Sequence, residues 1–399
     1  MKNILVINSG SSSLKFQLIL MPEETVLASG LVERIGQEGT KLHYSSKGFS
    51  TTEVIEIPNH AVALKEVTNL LMDVEKGVIK NASEISVIGH RVVHGGAAFS
   101  ETIFINQKVK TKIKELFSLA PLHNPPNLTG IEVAEEIFPN AKQVAVFDTA
   151  FHQSIPAKAH KYAIPNSFLS EHKIQVYGFH GTSHKYVSEQ AIQIIKKPQS
   201  KIISVHLGNG CSITAVKDGK SIDHSLGFGP VNGLIMGTRS GDIDQSVIFY
   251  MIEHLGYTAK EVSDILHNKS GMLGLTGYSD LRDIETQAEN GNRDCQLALE
   301  MNAYRIKKYL GAYAAVMNGL DALVFTAGIG ENSSIIRKMV CEEMQYLGIE
   351  LDQPKNDVRS KENRIISTEK SKVTVLVIPT NEELEIAKQT YFKIKNSEF

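Results

Sequence analysis

The sequence predicts an α/β fold made of two related halves. Short apolar runs alternate along the chain with segments of helical periodicity, an order typical of α/β proteins. The runs are continuous in apolar residues, as in strands that are covered on both faces. The segments 4–18 and 202–216 both have the pattern strand, small polar turn, strand, and His206 follows Asn8 by 198 residues, half the chain. Two unrelated hairpins in a large α/β protein are the alternative explanation.

Size and composition exclude several classes of protein. The 399 residues are 42% hydrophobic and 22% charged, enough for two or three domains with a sizeable core. A net charge of −2 gives no general attraction to nucleic acid or to anionic membranes. No apolar run approaches the about 20 residues of a membrane span, and the N-terminus lacks a signal-peptide pattern. Three widely spaced cysteines form no CxxC pair and no disulfide framework. We therefore expect a cytoplasmic protein with core cysteines, a nucleophilic thiol being the alternative.

Individual elements follow from these patterns. The predicted strands are Ile4–Ile7, Val87–Ile88 continuing to Arg91–Val93, Val144–Phe147, Ile202–His206, Leu323–Thr326 and Val373–Ile378. The predicted helices are Asn127–Ile137, Ser183–Ile195 with Ser183 as its N-cap, Asp244–Leu255 and Asn292–Asn318, the last two ending before a glycine.

Three turns rich in glycine and small polar residues could hold an anion. Asn8–Ser13 and His206–Gly210 offer clustered backbone N–H groups of the kind that bind phosphate. Lys15 follows the first of these turns in the next strand, within reach of a bound phosphate. Plain tight turns are the alternative. Thr326–Asn332 follows a strand and precedes a predicted helix near Ser333. The chain contains neither GxGxxG nor a complete P-loop, so Asp218-Gly219 is interpreted as a hairpin turn.

Histidine, arginine and aspartate cluster near these turns. His90/His94 and His180/His184 have the i,i+4 spacing that binds zinc on a helix, but the first pair lies in a strand-like run, where the residues would be about 13 Å apart. Arg91 and Arg239 lie beside glycines, and their guanidinium groups suit carboxylate or phosphate, surface salt bridges being the alternative.

Two carboxylates stand at the ends of predicted strands. Asp148 ends the run 144–147, a common place for an active-site group, although a helix cap or a turn would explain it equally well. Thr380 and Glu383 have the spacing of a capping box, which leaves Glu382 to face a cleft and a metal ion.

Together the motifs resemble the acetate kinase family. The matching segments are VINSGSSSLKF, GHRVVHGG, PLHNPPN, VFDTAFH, YGFHGTSH, HLGNG, GTRSGD, YSDLRDI, GIGEN and IPTNEEL, in this order over almost the whole chain. The chain departs from the family at Ala97-Ala98, where a Glu is expected after His94-Gly-Gly96.

The resemblance implies the superfold of sugar kinases, heat-shock chaperones and actin, two ribonuclease-H-like domains with ATP between them. It implies an N-terminal lobe of residues 1–150 and 383–399 for the acyl substrate and phosphates, and a C-terminal nucleotide-binding lobe of residues 151–382. It further implies a homodimer, Mg²⁺ with Mn²⁺ as an alternative, and acetate, ATP, acetyl phosphate and ADP as substrates, with no nucleic acid or membrane partner.

The family pattern assigns roles to residues of this chain. The implied catalytic residues are Asp148, Arg91, His180, Arg239 and His123. The implied pocket for the methyl group is Val93, Leu122, Phe179 and Pro230, with Arg91 on the carboxylate. The implied nucleotide site is Lys15, His206, Leu207, Gly208, Asn209, Gly210, Asp280, Leu281, Arg282, Gly328, Ile329, Gly330, Glu331 and Asn332. The implied magnesium ligands are Asn8 and Glu382, mainly through waters.

We expect direct in-line transfer of the γ-phosphoryl group, with catalysis by positioning and electrostatics. Acetate is already ionised at neutral pH, so Asp148 is expected to orient an arginine or metal-bound waters rather than act as a base. The alternatives are a propionate or other short-chain acyl kinase, an actin-like module switched by nucleotide, and a metal-dependent hydrolase.

Overall fold

The computed structural model describes residues 1–397 and divides the chain into two compact units. Unit 1 is Met1–Phe151 together with the segment from Asn381 on, and unit 2 is His152–Thr380. The second boundary therefore places Glu382 in unit 1, whereas the sequence-based division put it in the second lobe. Residues 398 and 399 of the expected N-terminal lobe lie outside the described residues.

Fourteen strands occur within residues 1–397. They are β1 Lys2–Ser9, β2 Ser13–Met21, β3 Thr25–Glu33, β4 Lys41–Ser46, β5 Phe49–Val54, β6 Ile85–Val92, β7 Ile103–Phe104, β8 Lys142–Phe147, β9 Lys201–Leu207, β10 Cys211–Lys217, β11 Lys220–His224, β12 Ala322–Thr326, β13 Arg364–Ile365 and β14 Thr374–Val377. All six predicted strands are confirmed, as β1, β6, β8, β9, β12 and β14.

The described residues form fifteen α-helices. They are α1 His60–Met72, α2 Gln107–Glu115, α3 Asn124–Ile137, α4 Ala157–His160, α5 Ser167–His172, α6 Gly181–Ile195, α7 Gln245–Glu253, α8 Ala259–Asn268, α9 Gly271–Thr276, α10 Leu281–Glu289, α11 Arg293–Met317, α12 Ala327–Asn332, α13 Ser334–Cys341, α14 Gln353–Asp357 and α15 Glu382–Lys395. None of them has the length and apolar character needed to cross a membrane.

The two units repeat one sheet topology. The sheet of unit 1 has the order β5-β4-β3-β2-β1-β6-β8-β7, and that of unit 2 has the order β11-β10-β9-β12-β14-β13. In each, three consecutive antiparallel strands are followed by two parallel ones, so β3-β2-β1-β6-β8 corresponds to β11-β10-β9-β12-β14. The hairpins β1–β2 and β9–β10 are the two similar segments in the sequence. The predicted duplicated α/β fold is therefore confirmed.

In unit 1, α15 packs against β1, β2 and β6 and so brings its first residues to the sheet. Gly89 of β6 permits this approach, because a Cβ there would lie 2.6 Å from Thr390 Oγ1 and 3.0 Å from Ile386 Cγ2. On the other side of the sheet, α1 and α3 cover apolar residues that include Leu5, Ile7 and Ile88. In unit 2, α6 packs against β9 and β12.

Local predictions had mixed outcomes. The predicted helices Asp244–Leu255 and Asn292–Asn318 are observed as α7 and α11, with Asp244 and Asn292 as their N-caps. Asp218-Gly219 forms the predicted two-residue turn between β10 and β11, with both φ angles positive. The predicted cap at Ser183 is wrong, because α6 begins at Gly181 after His180. The Ser183 hydroxyl instead bonds to His206 and Thr380 inside the unit.

Two other local predictions also need correction. The segment 327–332 is a short helix, α12, rather than an open turn, and Ser333 caps the next helix. The predicted capping box of Thr380 and Glu383 is wrong, because Asn381 caps α15 by accepting from the Leu384 N–H at 3.0 Å.

Candidate active site

In unit 1, the ends of three neighbouring strands bring Asn8, Arg91 and Asp148 together. β1, β6 and β8 are mutually parallel, so their carboxyl ends meet at one edge of the sheet, where ligands of α/β proteins bind. Asn8 is the penultimate residue of β1, Arg91 lies near the end of β6, and Asp148 comes directly after β8. Arg91 Nη1 donates to Asn8 Oδ1 at 3.4 Å.

Arg91 and Asp148 form a two-pronged ion pair. Arg91 Nη2 lies 2.6 Å from Asp148 Oδ2, and Nε donates to Oδ1 and Oδ2 at 3.2 and 3.1 Å. Asp148 is 1% exposed, whereas the Arg91 side chain is 20% exposed and so retains access to a ligand. Burial would lower the pKa of Arg91, but the nearby carboxylates of Asp148 and Glu382 outweigh it and raise that pKa. Arg91 is therefore a permanent cation held in a fixed orientation.

The first turn of α15 adds two more carboxylates to this edge. Glu382 Oε2 lies 3.8 Å from Arg91 Nε, and Glu383, 6% exposed, pairs with Lys15 Nζ at 2.6 Å. Burial raises the pKa of Glu382; Arg91 opposes that rise, and Asp148 adds to it. Three carboxylates thus share the edge with two cations, an arrangement that a further cation would stabilise.

Asn124 and Asn127, buried at the start of α3, brace the same edge. Asn127 accepts from the Val93 N–H at 3.0 Å and donates to the Ser9 carbonyl at 2.7 Å, so one side chain joins the ends of β6 and β1. Asn124 bonds to both the N–H and the carbonyl of His94 at 3.0 Å. Sequence reasoning assigned no role to these asparagines; their place beside Pro125-Pro126 at a helix start was the available signal.

The other residues of unit 1 that were predicted for the methyl pocket or for catalysis differ in solvent exposure. Val93 is 7% exposed, Leu122 is 72% exposed, and His123 directly precedes α3. Phe179 and Pro230, predicted for the same methyl pocket, belong to unit 2.

In unit 2, His180 and Arg239 converge on Gly210. A Cβ at Gly210 would lie 3.4 Å from His180 Nε2 and 3.7 Å from Arg239 Nη1, so the bare glycine leaves room between the two side chains. His180 occupies the left-handed region with φ 55°, directly after Phe179. The Phe179 backbone is held by two histidines, since its N–H donates to His224 Nε2 at 3.1 Å and its carbonyl lies 2.9 Å from His152 Nε2.

Arg239 is a partly buried cation without a carboxylate partner among residues 1–397. Its Nη1 donates to the Pro230 carbonyl at 3.0 Å and approaches Met236 Sδ at 3.7 Å. Burial lowers its pKa, and the neighbouring Cys211 opposes that shift. An anionic group would compensate this burial, so Arg239 is suited to a phosphoryl oxygen.

The three predicted nucleotide segments meet in unit 2. Leu207 and Gly208, Leu281, and Ile329 line a single narrow cavity of ≈ 10 Å³, which has room for about one water. Beside Leu281, Arg282, which is 89% exposed, pairs with Asp280 at 2.5 Å. That hydrogen bond lowers the pKa of Asp280 to about 2.

The remaining nucleotide candidates are tied to neighbouring loops of unit 2. The carbonyl of Asn209 accepts from the Gly237 N–H at 3.1 Å, which links the β9–β10 turn to the loop carrying Arg239. Arg337 of α13 donates from Nη1 to the carbonyls of Gly330 and Glu331 in α12, and Glu331 Oε1 accepts from the Thr380 N–H at 3.1 Å. Asn332 Nδ2 donates to the Gly328 carbonyl at 2.8 Å.

This chain has the superfold of sugar kinases, heat-shock chaperones and actin. The repeated sheet topology and the residues at the first hairpin of each unit define that class. The acetokinase family model matches residues 3–388. The acetate kinase of Flavobacterium johnsoniae is 64% identical over 393 residues, covering 98% of this chain and all of that protein. The acetate kinase of Thermotoga maritima is 53% identical and covers 97% of each chain. The chain belongs to the acetokinase family.

Solved structures agree with this assignment. The acetate kinase of Porphyromonas gingivalis superimposes with a TM-score of 0.93 at 45% identity, covering 99% of this chain and 100% of that one. The propionate kinase of Francisella tularensis superimposes with a TM-score of 0.92 at 43% identity, covering 98% and 100%.

Proposed function

We propose that this chain is an ATP-dependent acyl kinase that transfers the γ-phosphoryl group of ATP to acetate, giving acetyl phosphate and ADP reversibly. The whole-chain match to acetate kinases, up to 64% identical, carries this conclusion. The arrangement of Arg91 with Asp148 in unit 1, and of Arg239 with His180 in unit 2, supports it. Both arrangements present fixed positive charge or hydrogen-bond donors to an anion.

Acetate is the proposed acyl substrate, with propionate as the second candidate. The second candidate is favoured by the Francisella structure, which has almost the same TM-score as the Porphyromonas acetate kinase. Acetate is preferred because the more similar curated relatives are acetate kinases. Val93, nearly buried and with its backbone held by Asn127, is the proposed wall of the methyl pocket in unit 1.

Arg91 is proposed to bind the carboxylate and the transferring group, with Asp148 as its orienting partner. Acetate has the acidity of a carboxyl group of pKa about 4–5, so at pH 7 no base is needed to activate it. The bidentate pair uses the Asp148 oxygens to hold the guanidinium. In this arrangement the carboxylate serves geometry rather than proton transfer.

Arg239 and His180 are proposed to stabilise charge that spreads over the oxygens of the transferring phosphoryl group. His123 is proposed to assist on the unit 1 side. The segments 206–210, 280–282 and 328–332, with Lys15, are proposed to contact the nucleotide, which the shared cavity lined by Leu207, Leu281 and Ile329 supports.

Asn8 and Glu382 are the proposed ligands for Mg²⁺, or Mn²⁺ in its place. Among residues 1–397 no group of three or more histidine, cysteine, aspartate or glutamate side chains is arranged as a metal site. Magnesium bound to a nucleotide does not need one, because one or two protein oxygens, waters and phosphates complete its shell. The excess of carboxylates beside Arg91 fits a hard cation here. When bound, the ion neutralises negative charge on the phosphates.

A homodimer is also part of the proposal, through α7. None of the residues of this helix is buried, although it is rich in large apolar side chains. Val247, Phe249 and Tyr250 are 45%, 59% and 56% exposed. A helix that exposes this many large apolar side chains is typical of a protein interface. A cytoplasmic location is proposed on the three free, buried cysteines, which suit a reducing compartment.

The function is tested by trapping acetyl phosphate with hydroxylamine. Purified chain with acetate, ATP and Mg²⁺ is expected to form acetohydroxamate and equimolar ADP, and to form neither without ATP. Propionate in place of acetate measures the second candidate. Hydroxamate formation without ATP, or ATP turnover that ignores the carboxylic acid, would contradict the proposed reaction.

A further inference from the structure

A chain of hydrogen bonds runs behind His180 into the core of unit 2. His180 Nδ1 lies 2.8 Å from Ser212 Oγ, and the same hydroxyl lies 2.7 Å from His184 Nε2. His184 Nδ1 in turn bonds to Ser204 Oγ. Ser212, His184 and Ser204 are fully buried. The order of the chain is therefore His180, Ser212, His184, Ser204.

The single proton of Ser212 couples the two histidine rings. A serine hydroxyl that bonds to two ring nitrogens donates to one and accepts from the other. If Ser212 donates to His180 Nδ1, then His184 must donate its Nε2–H to Ser212. If Ser212 donates to His184 Nε2, then His180 must donate its Nδ1–H to Ser212. When both rings are neutral, they consequently share one tautomer.

His184 is well placed to stay neutral. Burial lowers its pKa well below the ordinary value, and the nearby rings of His152 and His206 lower it further. A neutral ring has one donating and one accepting nitrogen. Ser204 and Ser212, on its two sides, can supply one acceptor and one donor.

His180 is surrounded by other cationic or titratable groups. Its ring stacks on His206 with centroids 4.3 Å apart, and Arg239 reaches the same side of Gly210 as His180 Nε2. His224 is also near enough to interact with His180, since burial and neighbouring histidines including His180 lower the pKa of His224. Arg239 already supplies a permanent positive charge on this side of Gly210, so a neutral His180 ring that donates from Nε2 suits the position.

We propose that Ser212 is a positioning residue: its hydroxyl, oriented by His184, donates to His180 Nδ1 and keeps the His180 proton on Nε2, the nitrogen that faces Gly210 and Arg239. The inference rests on the proposed function, because the Nε2–H is the group assigned to the phosphoryl oxygens. Ser204 completes the chain by donating to His184 Nδ1. Ser212 itself touches no reacting atom.

Loss of the Ser212 hydroxyl is expected to change how the activity depends on pH. Without the hydroxyl, neutral His180 is free to carry its proton on Nδ1, and its ring is less firmly oriented. The imidazolium form carries a proton on both nitrogens. The activity ratio of wild type to Ser212→Ala is therefore expected to be largest while the His180 ring is neutral and to fall once acid places a proton on both of its nitrogens. A purely structural role for Ser212 would give a ratio that does not change with pH.

The experiment compares kcat for acetate at pH 6.0 to 8.5 in four proteins. Ser212→Ala is expected to lose about tenfold in kcat at pH 8.5, the size typical of lost outer-sphere partners, with KM changed less than about threefold. Ser212→Thr retains a hydroxyl and is expected to keep the wild-type pH profile. Ser188→Ala is the matched control, since it removes a buried hydroxyl of α6 that has no hydrogen-bond partner among the described residues. A Ser212→Ala kcat within twofold of wild type at pH 8.5 would overturn the proposal.

A measurement independent of activity separates this proposal from the proposed function. ¹⁵N spectra of histidine-labelled full-length protein at pH 8, assigned with His180→Gln, report which ring nitrogen of His180 carries the proton. A proton on Nε2 in the wild type, with mixing of tautomers in Ser212→Ala, supports the positioning role of Ser212 even if acetate is not the substrate. A proton on Nδ1 in the wild type would overturn it even if acetate kinase activity is present. The wild-type spectrum also decides the matter if Ser212→Ala does not fold.

Discussion

Arg91 and Asp148, 57 residues apart in the chain, are joined by three hydrogen-bond contacts between one guanidinium and one carboxylate. The pair forms because β6 and β8 are parallel neighbours and end at the same edge. Since Asp148 is almost fully buried and Arg91 is partly exposed, the aspartate faces the protein and the arginine is left to face a ligand. Asp148 therefore orients the guanidinium, and Arg91 is expected to contact the substrate.

Replacement of Arg91 by alanine is expected to reduce kcat/KM for acetate by about 10³ or more, because it removes a bidentate cation and leaves the Asp148 charge buried and unpaired. Arg91→Lys keeps the charge but loses the fork, and is expected to recover only part of the loss. Steady-state kinetics measure both. Arg293→Ala, at an exposed arginine of α11, is the control. Near-normal activity of Arg91→Ala would remove Arg91 from the site.

Asp148→Asn is expected to lower kcat about 100-fold, the cost typical of a misplaced catalytic charge, while the shape of the pH–rate profile is kept. The asparagine has the size of aspartate, but it turns an N–H toward a guanidinium that only donates. The measurement is kcat from pH 5.5 to 9 in both proteins. If the variant loses an ionisation that the wild type shows near neutral pH, Asp148 acts as a base and the orienting role is wrong.

Val93→Ala is expected to shift the preference toward propionate, since it removes two methyl groups from the proposed wall of the acyl pocket. The change should be modest, because one methylene in a pocket is worth only about 1–3 kcal/mol. The ratio of kcat/KM for propionate to that for acetate is the readout. Val67→Ala removes the same atoms from a buried valine of α1 and serves as the matched control. An unchanged ratio in Val93→Ala would exclude Val93 from the pocket.

His90 is expected to make unfolding pH-dependent. It is buried against Gln143, and burial lowers its pKa to about 4. Below the ordinary pKa of 6.5 the unfolded chain binds a proton that the folded chain does not, so the free energy of unfolding falls between about pH 6.5 and 4. His94, whose pKa burial also lowers to about 4, adds to the same slope.

Urea denaturation between pH 7.5 and 5 measures this effect. His90→Leu is expected to reduce the slope of unfolding free energy against pH, whereas His254→Gln, at an exposed histidine, is expected to leave it unchanged. Equal slopes in wild type and His90→Leu would show that His90 is not held neutral.

Phe249→Glu is expected to convert the proposed dimer to monomers, because a charge in a buried apolar interface is costly. Sedimentation velocity at micromolar concentration gives the answer. Phe392→Glu is the control, since Phe392 lies on α15 and is 57% exposed, almost the same as the 59% of Phe249. A dimeric Phe249→Glu variant, or a monomeric wild type, would exclude α7 as the interface.

The sequence predicted the elements whose signal is local. The apolar runs of β1 and β9 and the similar hairpins that follow them predicted the duplication, which the repeated strand order confirms. The helices that follow Asp244 and Asn292 were predicted because their periodicity and the glycine after each are local features of the sequence.

The predictions that were wrong concern side chains whose partners are distant in the chain. Glu383 has the spacing of a capping-box residue, but it pairs with Lys15 of β2, which a local pattern does not reveal. Ser183 has the composition of a cap, but its hydroxyl is drawn into the core by His206 of β9. Asn127 was missed for the same reason, because its partners are the ends of two strands outside its helix.

The central claim, that a phosphoryl group passes directly from ATP to the carboxylate, is tested most directly by stereochemistry. ATP made chiral at the γ-phosphorus with oxygen isotopes is used to phosphorylate acetate, and the configuration of acetyl phosphate is determined. One in-line displacement inverts the configuration, which is the result expected when fixed cations hold donor and acceptor in place. Retention would reveal a phosphorylated enzyme and two displacements, and would contradict the account.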